Sequence, residues 1–349
     1  RKAPKFFDVQ TFTTTYNVDP NVISHNLDGE LGCAIFKQLN STGQGYNWVV
    51  YHRSLGLNKY LVLNSTASEV ADSNSFEAVD NSAGTISFGY PMSDVASRLV
   101  SGGTETTNWV GYFFAHNNGD GEFGPDGDAD IIKCGSYTGN GSNTGPVIDL
   151  GFEPQWLLVK KTSGSGNWVL IDTMRGFTNS APIDDPYLSA NAASAESFNY
   201  LATPLASGFQ ITRSGNIVNT NGGTYIYMAI RRGTKAPESA TEVFAIDTGT
   251  GTIPTYVSGF PVDMSINRQP SVVVDNRTGT RLTGSNRLVT NSTNSQASDN
   301  AFVYDYMDGW SESYANSTHQ SWMWKRAPGY FDVVAYTGDG SSGSYAHNL

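Results

Sequence analysis

Cysteine and charge are both scarce in this chain, and each shortage excludes something. Two cysteines, Cys33 and Cys134, in 349 residues cannot build the disulfide framework that staples small secreted domains. They leave two readings open, one bridge or two buried free thiols. Charged residues make up 15% of the chain, where about 25% is usual for a soluble protein. The 21 Lys and Arg face 32 Asp and Glu, for a net charge of −11. The basic residues are scattered, densest at Lys160-Lys161 and Arg231-Arg232. With no basic stripe or groove, nucleic acid is not an expected partner. No run of about 18 apolar residues occurs, so no membrane span is expected.

Catalytic signatures are equally thin. The five histidines, His25, His52, His116, His319 and His347, form no H-x-H or H-E-x-x-H pair. There is no G-x-S-x-G elbow. Glu is scarce, and no pair presents itself as the acid and base of glycoside cleavage. Two G-x-G-x-x-G strings, starting at Gly119 and Gly338, open no helix after a strand and read as turns. An enzyme is not expected.

In place of charge the chain carries Ser, Thr, Asn and 37 glycines. That mixture suits strands joined by tight turns, since Asn and Gly accept positive φ while Thr, Tyr and Val suit a pleated surface. The ends carry the same phrase, Lys2-Ala3-Pro4-Lys5-Phe6-Phe7-Asp8-Val9 and Arg326-Ala327-Pro328-Gly329-Tyr330-Phe331-Asp332-Val333. His25-Asn26-Leu27 returns as His347-Asn348-Leu349, and Lys235-Ala236-Pro237 repeats the joint once more. A repeat cut in the same phase at both ends reads as a window onto a longer tandem protein. Anchors at Phe12, Tyr137, Asp247 and Tyr336 lie roughly a hundred residues apart, a spacing of domains and not of solenoid rungs.

Within each unit the pattern predicts a short opening strand and Gly-rich turn, then a second strand at Gly32–Phe36 and Gln155–Lys160. An aromatic strand follows at Gly45–Val50 and Gly166–Ile171. Its Trp48 and Trp168 read as core packing, with sugar stacking as the alternative. Closing strands at Asn108–Phe114, Gly223–Ile230 and Gln320–Trp324 are apolar almost throughout, which predicts burial on both faces. Ala-rich Ser189–Ser197 suggests one short helix. The expected fold is all-β, a tandem of antiparallel β-sandwiches of jelly-roll, concanavalin-like type. The predicted boundaries are 1–127, 128–237 and a shorter third repeat at 238–328, with 329–349 opening a further one. The third unit lacks the Asn-Trp-Val strand.

One joint, between the first and second units, has no Ala-Pro. The acidic stretch Asn117–Asp130 replaces it. Asp126, Asp128 and Asp130 alternate so that their oxygens can turn toward one hard cation, and calcium is the candidate ion. The EF-hand pattern fails, with Ile131 where the glycine is needed and Tyr137 where the Glu is needed. A solvated turn is the other reading. Six Asn-x-Ser/Thr sequons, at Asn40, Asn64, Asn140, Asn276, Asn291 and Asn316, carry glycans only if a eukaryote secretes the chain.

The string Asp130-Ile131-Ile132-Lys133-Cys134-Gly135-Ser136-Tyr137-Thr138-Gly139-Asn140-Gly141-Ser142 resembles a tandem domain of large virion proteins from tailed phages of marine bacteria, notably cyanophages. Ile148-Asp149-Leu150-Gly151-Phe152-Glu153-Pro154-Gln155-Trp156, Gly222–Gly233, Pro261–Met264 and Ser321–Gly329 extend the likeness over most of the chain. The resemblance implies a tail-fibre or other virion structural protein, on the particle surface, whose domain has no assigned function and no catalytic residues. The expected role is therefore a structural and adhesive segment. Its expected partners are other virion proteins or copies of itself, and host-surface glycan. The alternatives are a calcium-dependent carbohydrate-binding lectin module and a bacterial surface adhesin.

Overall fold

The computed structural model describes residues 1–15, 18–39, 46–89, 106–179, 185–233 and 235–336, with 340, 342–345, 347 and 349. Asn40, Gly45, the turn at 337–339 and Ser341 lie outside them. The fold is all-β: the described residues form six antiparallel sheets, and helix among them is confined to three single 3₁₀ turns. Three successive sets of nine strands share one strand order, a six-stranded sheet and a three-stranded sheet in each.

In the first set the large sheet places the closing strand Thr106–Ala115 between the opening strand Phe7–Thr15 and Leu31–Gln38. Val49–His52, Lys59–Val62 and Val70–Ala71 continue it outward. In the second set Thr224–Arg231 lies between Ile132–Thr138 and Pro154–Lys161. In the third Gln320–Trp324 lies between Phe244–Thr248 and Met264–Arg268. All three predicted closing strands are central strands.

Each small sheet covers one face of its large sheet. Ile23, Ile86 and Phe88 pack with Phe36, Val49, Trp109 and Phe113 in the first set. Ile148, Phe209 and Ile211 pack with Val159, Val169 and Tyr225 in the second. The third core centres on the fully buried Trp310, whose ring lies 5.1 Å from Tyr256, 5.2 Å from Phe302 and 5.3 Å from Tyr304. Such ring pairs contribute about 0.5–1.5 kcal/mol each beyond area burial. Trp310 does the packing for a unit that lacks the Asn-Trp-Val strand, and Arg277–Thr280 runs in that strand's place beside Met264–Arg268.

Two local expectations change. Ser189–Ser197 holds no helix: strand Pro186–Ser189 ends there and Ser197–Phe198 begins. Five successive residues, 192–196, are exposed, so a helix would have no apolar face to bury and is too short to stand alone. Asn191 instead ties the turn down by accepting the Trp168 N–H at 2.8 Å. Trp168 is buried, but outside its own sandwich, and Trp48 is only half-buried, stacked 6.3 Å from Tyr112 with Lys37 Nζ 5.5 Å above its ring.

Candidate functional site

Strand alternation sends every second residue of a large sheet away from its own small sheet. In the second set that outer face carries Cys134, Leu158, Trp168, Ile226 and Met228. All five are buried, and they belong to the core of the first set, with Cys33, Val50 and Leu61. The first two sandwiches are thus packed back to back. Hydrogen bonds fix the seam: Trp168 Nε1 donates to the Val62 carbonyl at 3.0 Å and Lys160 Nζ to the Thr66 carbonyl at 3.2 Å. The Glu69 N–H donates to Thr162 O at 3.0 Å and the Gly166 N–H to Thr66 O at 2.9 Å.

His52 joins the same seam. Its Nδ1 accepts from the Ser54 N–H at 3.2 Å, so its Nε2 carries the proton and donates to Tyr227 O at 3.0 Å. Burial pushes its pKa down to about 4. Burial likewise lowers His116, whose Nδ1 accepts the Cys134 N–H at 3.1 Å, and His25. Cys33 and Cys134 are both buried and free. Burial pushes the Cys33 thiol up to about 12 and raises Cys134 further from reactivity. Their nearness across the seam was not legible, because they occupy different strands of their units.

The acidic stretch is a latch between joints. Asn117, itself buried, accepts the N–H groups of Ile131 and Ile132 through Oδ1 and donates through Nδ2 to Lys5 O at 2.8 Å. Asp130 accepts the Gly119 and Gly121 N–H groups at 2.9 and 3.0 Å and lies 3.3 Å from Lys133 Nζ. Asp120 lies 3.4 Å from Lys5 Nζ. The isolated bridge Phe123↔Ala129 stands where Ala3↔Phe7 and Ala327↔Phe331 stand at the Ala-Pro joints. Asp126 and Asp128 line a cleft of ≈ 480 Å³ together with Arg231 and Arg232. Among the described residues no group of three or more His, Cys, Asp or Glu side chains is gathered to hold a metal. Asp130 is thus answered by backbone N–H groups and Lys133, while Asp126 and Asp128 share their cleft with two arginines.

A larger cleft, ≈ 1170 Å³, opens between the second and third sets. Asp263, Arg281 and Arg326 on its lining belong to a chain of buried ions. Arg326 Nη1 donates to both Glu153 oxygens at 2.8 Å, while Asp263 lies 3.5 Å from Arg326 Nε and 3.5 Å from Arg281 Nε. Burial would lower Arg326, but Glu153 and Asp263 outweigh it and hold the guanidinium charged. On the wall Asp305 opens onto the cleft with Trp156, Asp172, Arg175 and Glu196 around it. Burial is the main cause that pushes its carboxyl up to about 6; Glu196 and Asp172 add to it and Arg281 opposes it. Sequence patterns missed this site, because Trp156 and Asp172 lie in one unit and Asp305 in the next.

These features define a multi-sandwich all-β protein whose units share buried seams. Residues 3–232 match the family described as Domain of unknown function (DUF7483), and the chain belongs to that family. The matched residues run through both back-to-back sandwiches and stop before the third. No curated protein matches the chain, and no solved structure does.

Proposed function

We propose that this chain is a structural and adhesive segment of a phage virion appendage of tail-fibre type, a stiff spacer that also offers a weak glycan-binding surface. The observation that carries the reading is the continuity of buried contacts from one sandwich to the next. The first seam is apolar and cross-bonded; the second is closed by Glu153, Arg326, Asp263 and Arg281. Sandwiches joined in this way resist bending, where units on open linkers move independently by default. The phage resemblance of the sequence supplies the location, and the acidic, weakly charged surface suits an extracellular particle.

The adhesive part rests on the ≈ 1170 Å³ cleft. Trp156 offers an apolar ring, and Asp305 and Arg175 offer hydrogen-bonding groups, which together suit the hydroxyl-rich, partly apolar faces of a sugar. The test is labelling of intact particles with antibody against this chain, paired with a polysaccharide-degradation assay on the purified protein. Surface labelling without degradation is the expected result. Protein buried inside a capsid, or cleavage of polysaccharide, would overturn the reading.

A further inference from the structure

The cleft between the second and third sandwiches carries apolar surface that neither core uses. Phe198, from the second sandwich, is 63% exposed and Met307, from the third, 67%; both are on the lining. Half-buried Trp156 joins them there. Large apolar side chains this exposed, gathered on the walls of one concavity, mark a surface that a ligand covers.

The charges on the same lining are unbalanced. Asp172, Glu196 and Asp305 bring three carboxylates to it. Arg175 answers the first two, pairing with Asp172 and holding Nε 3.6 Å from Glu196 Oε1. Among the described residues nothing hydrogen-bonds or ion-pairs with Asp305, which is exposed to the cleft. Arg281 acts on it at a distance, but that guanidinium is held by the Val262 carbonyl at 2.9 Å and by Asp263 at 3.5 Å. Burial first, then Glu196 and Asp172, push the Asp305 carboxyl up to about 6. Such surroundings disfavour a lone anion and favour a cation beside it.

We propose, resting on the reading of this cleft as a glycan site, that the glycan it takes bears a free amino group, with the ammonium against Asp305 and the sugar rings along Trp156 and Phe198. The ammonium supplies the cation that the wall lacks, and its N–H groups donate to a carboxylate with open acceptor positions. The face of a tryptophan also attracts a cation. A neutral or N-acetylated sugar brings no charge to Asp305, and an acidic sugar is repelled by the three carboxylates.

Isothermal titration calorimetry of the full chain near neutral pH, with a glucosamine oligosaccharide and with its fully N-acetylated counterpart, separates the charge from the sugar. The amine form should bind about tenfold tighter or more, as a hydrogen bond between charged groups gives. Asp305→Asn keeps the side-chain shape at an exposed position, should retain the wild-type far-UV circular dichroism, and should abolish the preference. Phe198→Ala should weaken both sugars. Equal wild-type affinities, or a preference that survives Asp305→Asn, overturn the amine and leave the glycan cleft standing. Unchanged binding in Phe198→Ala places the sugar elsewhere and overturns the proposal as well. A chain that binds neither oligosaccharide overturns the amine and the glycan cleft together.

Discussion

Replacing Arg326 by Met tests whether the second seam is held by charge. Arg326 is 1% exposed at its side chain and Glu153 4%. The guanidinium gives Nη1 to both Glu153 oxygens and to Val333 O at 2.8 Å, and its Nε lies 3.5 Å from Asp263. Methionine fills much of the volume but leaves the Glu153 carboxylate buried without its main partner. Breaking a buried pair in this way costs about 3–5 kcal/mol, whereas replacing both partners by apolar groups is often close to neutral. Asp263 keeps Arg281, and Arg232 still lies near Glu153, so the lower part of that range is expected. For a unit of this size the loss lowers the melting temperature by roughly 15–30 °C, and it should fall on the transition of the third sandwich. Differential scanning calorimetry resolves that transition from the others if the units unfold separately. Glu153→Met/Arg326→Met should recover most of the loss, so the coupling in the double-mutant cycle is large. A single substitution costing under ~1 kcal/mol, or a double variant as unstable as the single, would refute the argument that an uncompensated buried charge drives the effect.

Four further outcomes follow from the geometry. Because the folded pKa of His52 is about 4 against about 6.5 unfolded, its stabilising share is complete above pH 6.5. It is lost as pH falls toward 4, by about 2 kcal/mol at pH 5. Melting curves taken between pH 7 and 5 should show that slope, and a flat profile refutes the buried neutral imidazole. A Cβ on Gly32 would lie 2.6 Å from Ala115 O and 2.8 Å from Cys134 Sγ, so Gly32→Ala should cost about 1–3 kcal/mol in urea unfolding, with no cost arguing against the tight seam. Both thiols should react with a disulfide reagent only in denaturant, and prompt labelling of Cys33 or Cys134 in the native protein contradicts their burial. Asp130→Ala removes the acceptor for Gly119 and Gly121 and should lower stability by about 1–2 kcal/mol, equally with and without a chelator. A loss seen only when calcium is present would restore the ion to the acidic stretch.

The all-β class was readable because composition and alternation act locally. Thr224–Arg231 is apolar along nearly its whole length, and at eight residues with aromatic and β-branched enrichment that pattern favours a strand covered on both sides. The His-x-Leu turn was readable too: His25 Nδ1 accepts from Leu27 N and His347 Nδ1 from Leu349 N in the same way. What the pattern cannot carry is the identity of the cover. Trp48 and Trp168 share a local sequence, yet one stands beside Lys37 and Tyr112 and the other donates to Val62 of the neighbouring sandwich. The difference arises from which unit sits behind each sheet, a contact separated by a hundred residues in the chain.

What the acidic stretch does locally is set by the same kind of distant contact. Alternating carboxylates are a necessary condition for a cage of oxygens, and a local reading stops there. Whether they act as ligands depends on which cations the fold brings up to them. Here Lys133 comes from the strand that follows, Lys5 from the start of the chain, and Arg231 and Arg232 from the end of the closing strand. Each is more than a local pattern can place, apart from Lys133. Once these groups and the glycine N–H donors are in position, a carboxylate such as Asp130 gains little from a metal that must first displace them. The stretch therefore acts where the sequence placed it, at the joint without Ala-Pro, but through Asn117 and Asp130 as hydrogen-bonding hubs that fix one sandwich on the next. This joint lies between the two sandwiches whose outer faces meet. The third sandwich, reached through Lys235-Ala236-Pro237 instead, keeps its outer face exposed and turns its cleft-lining edge to its neighbour.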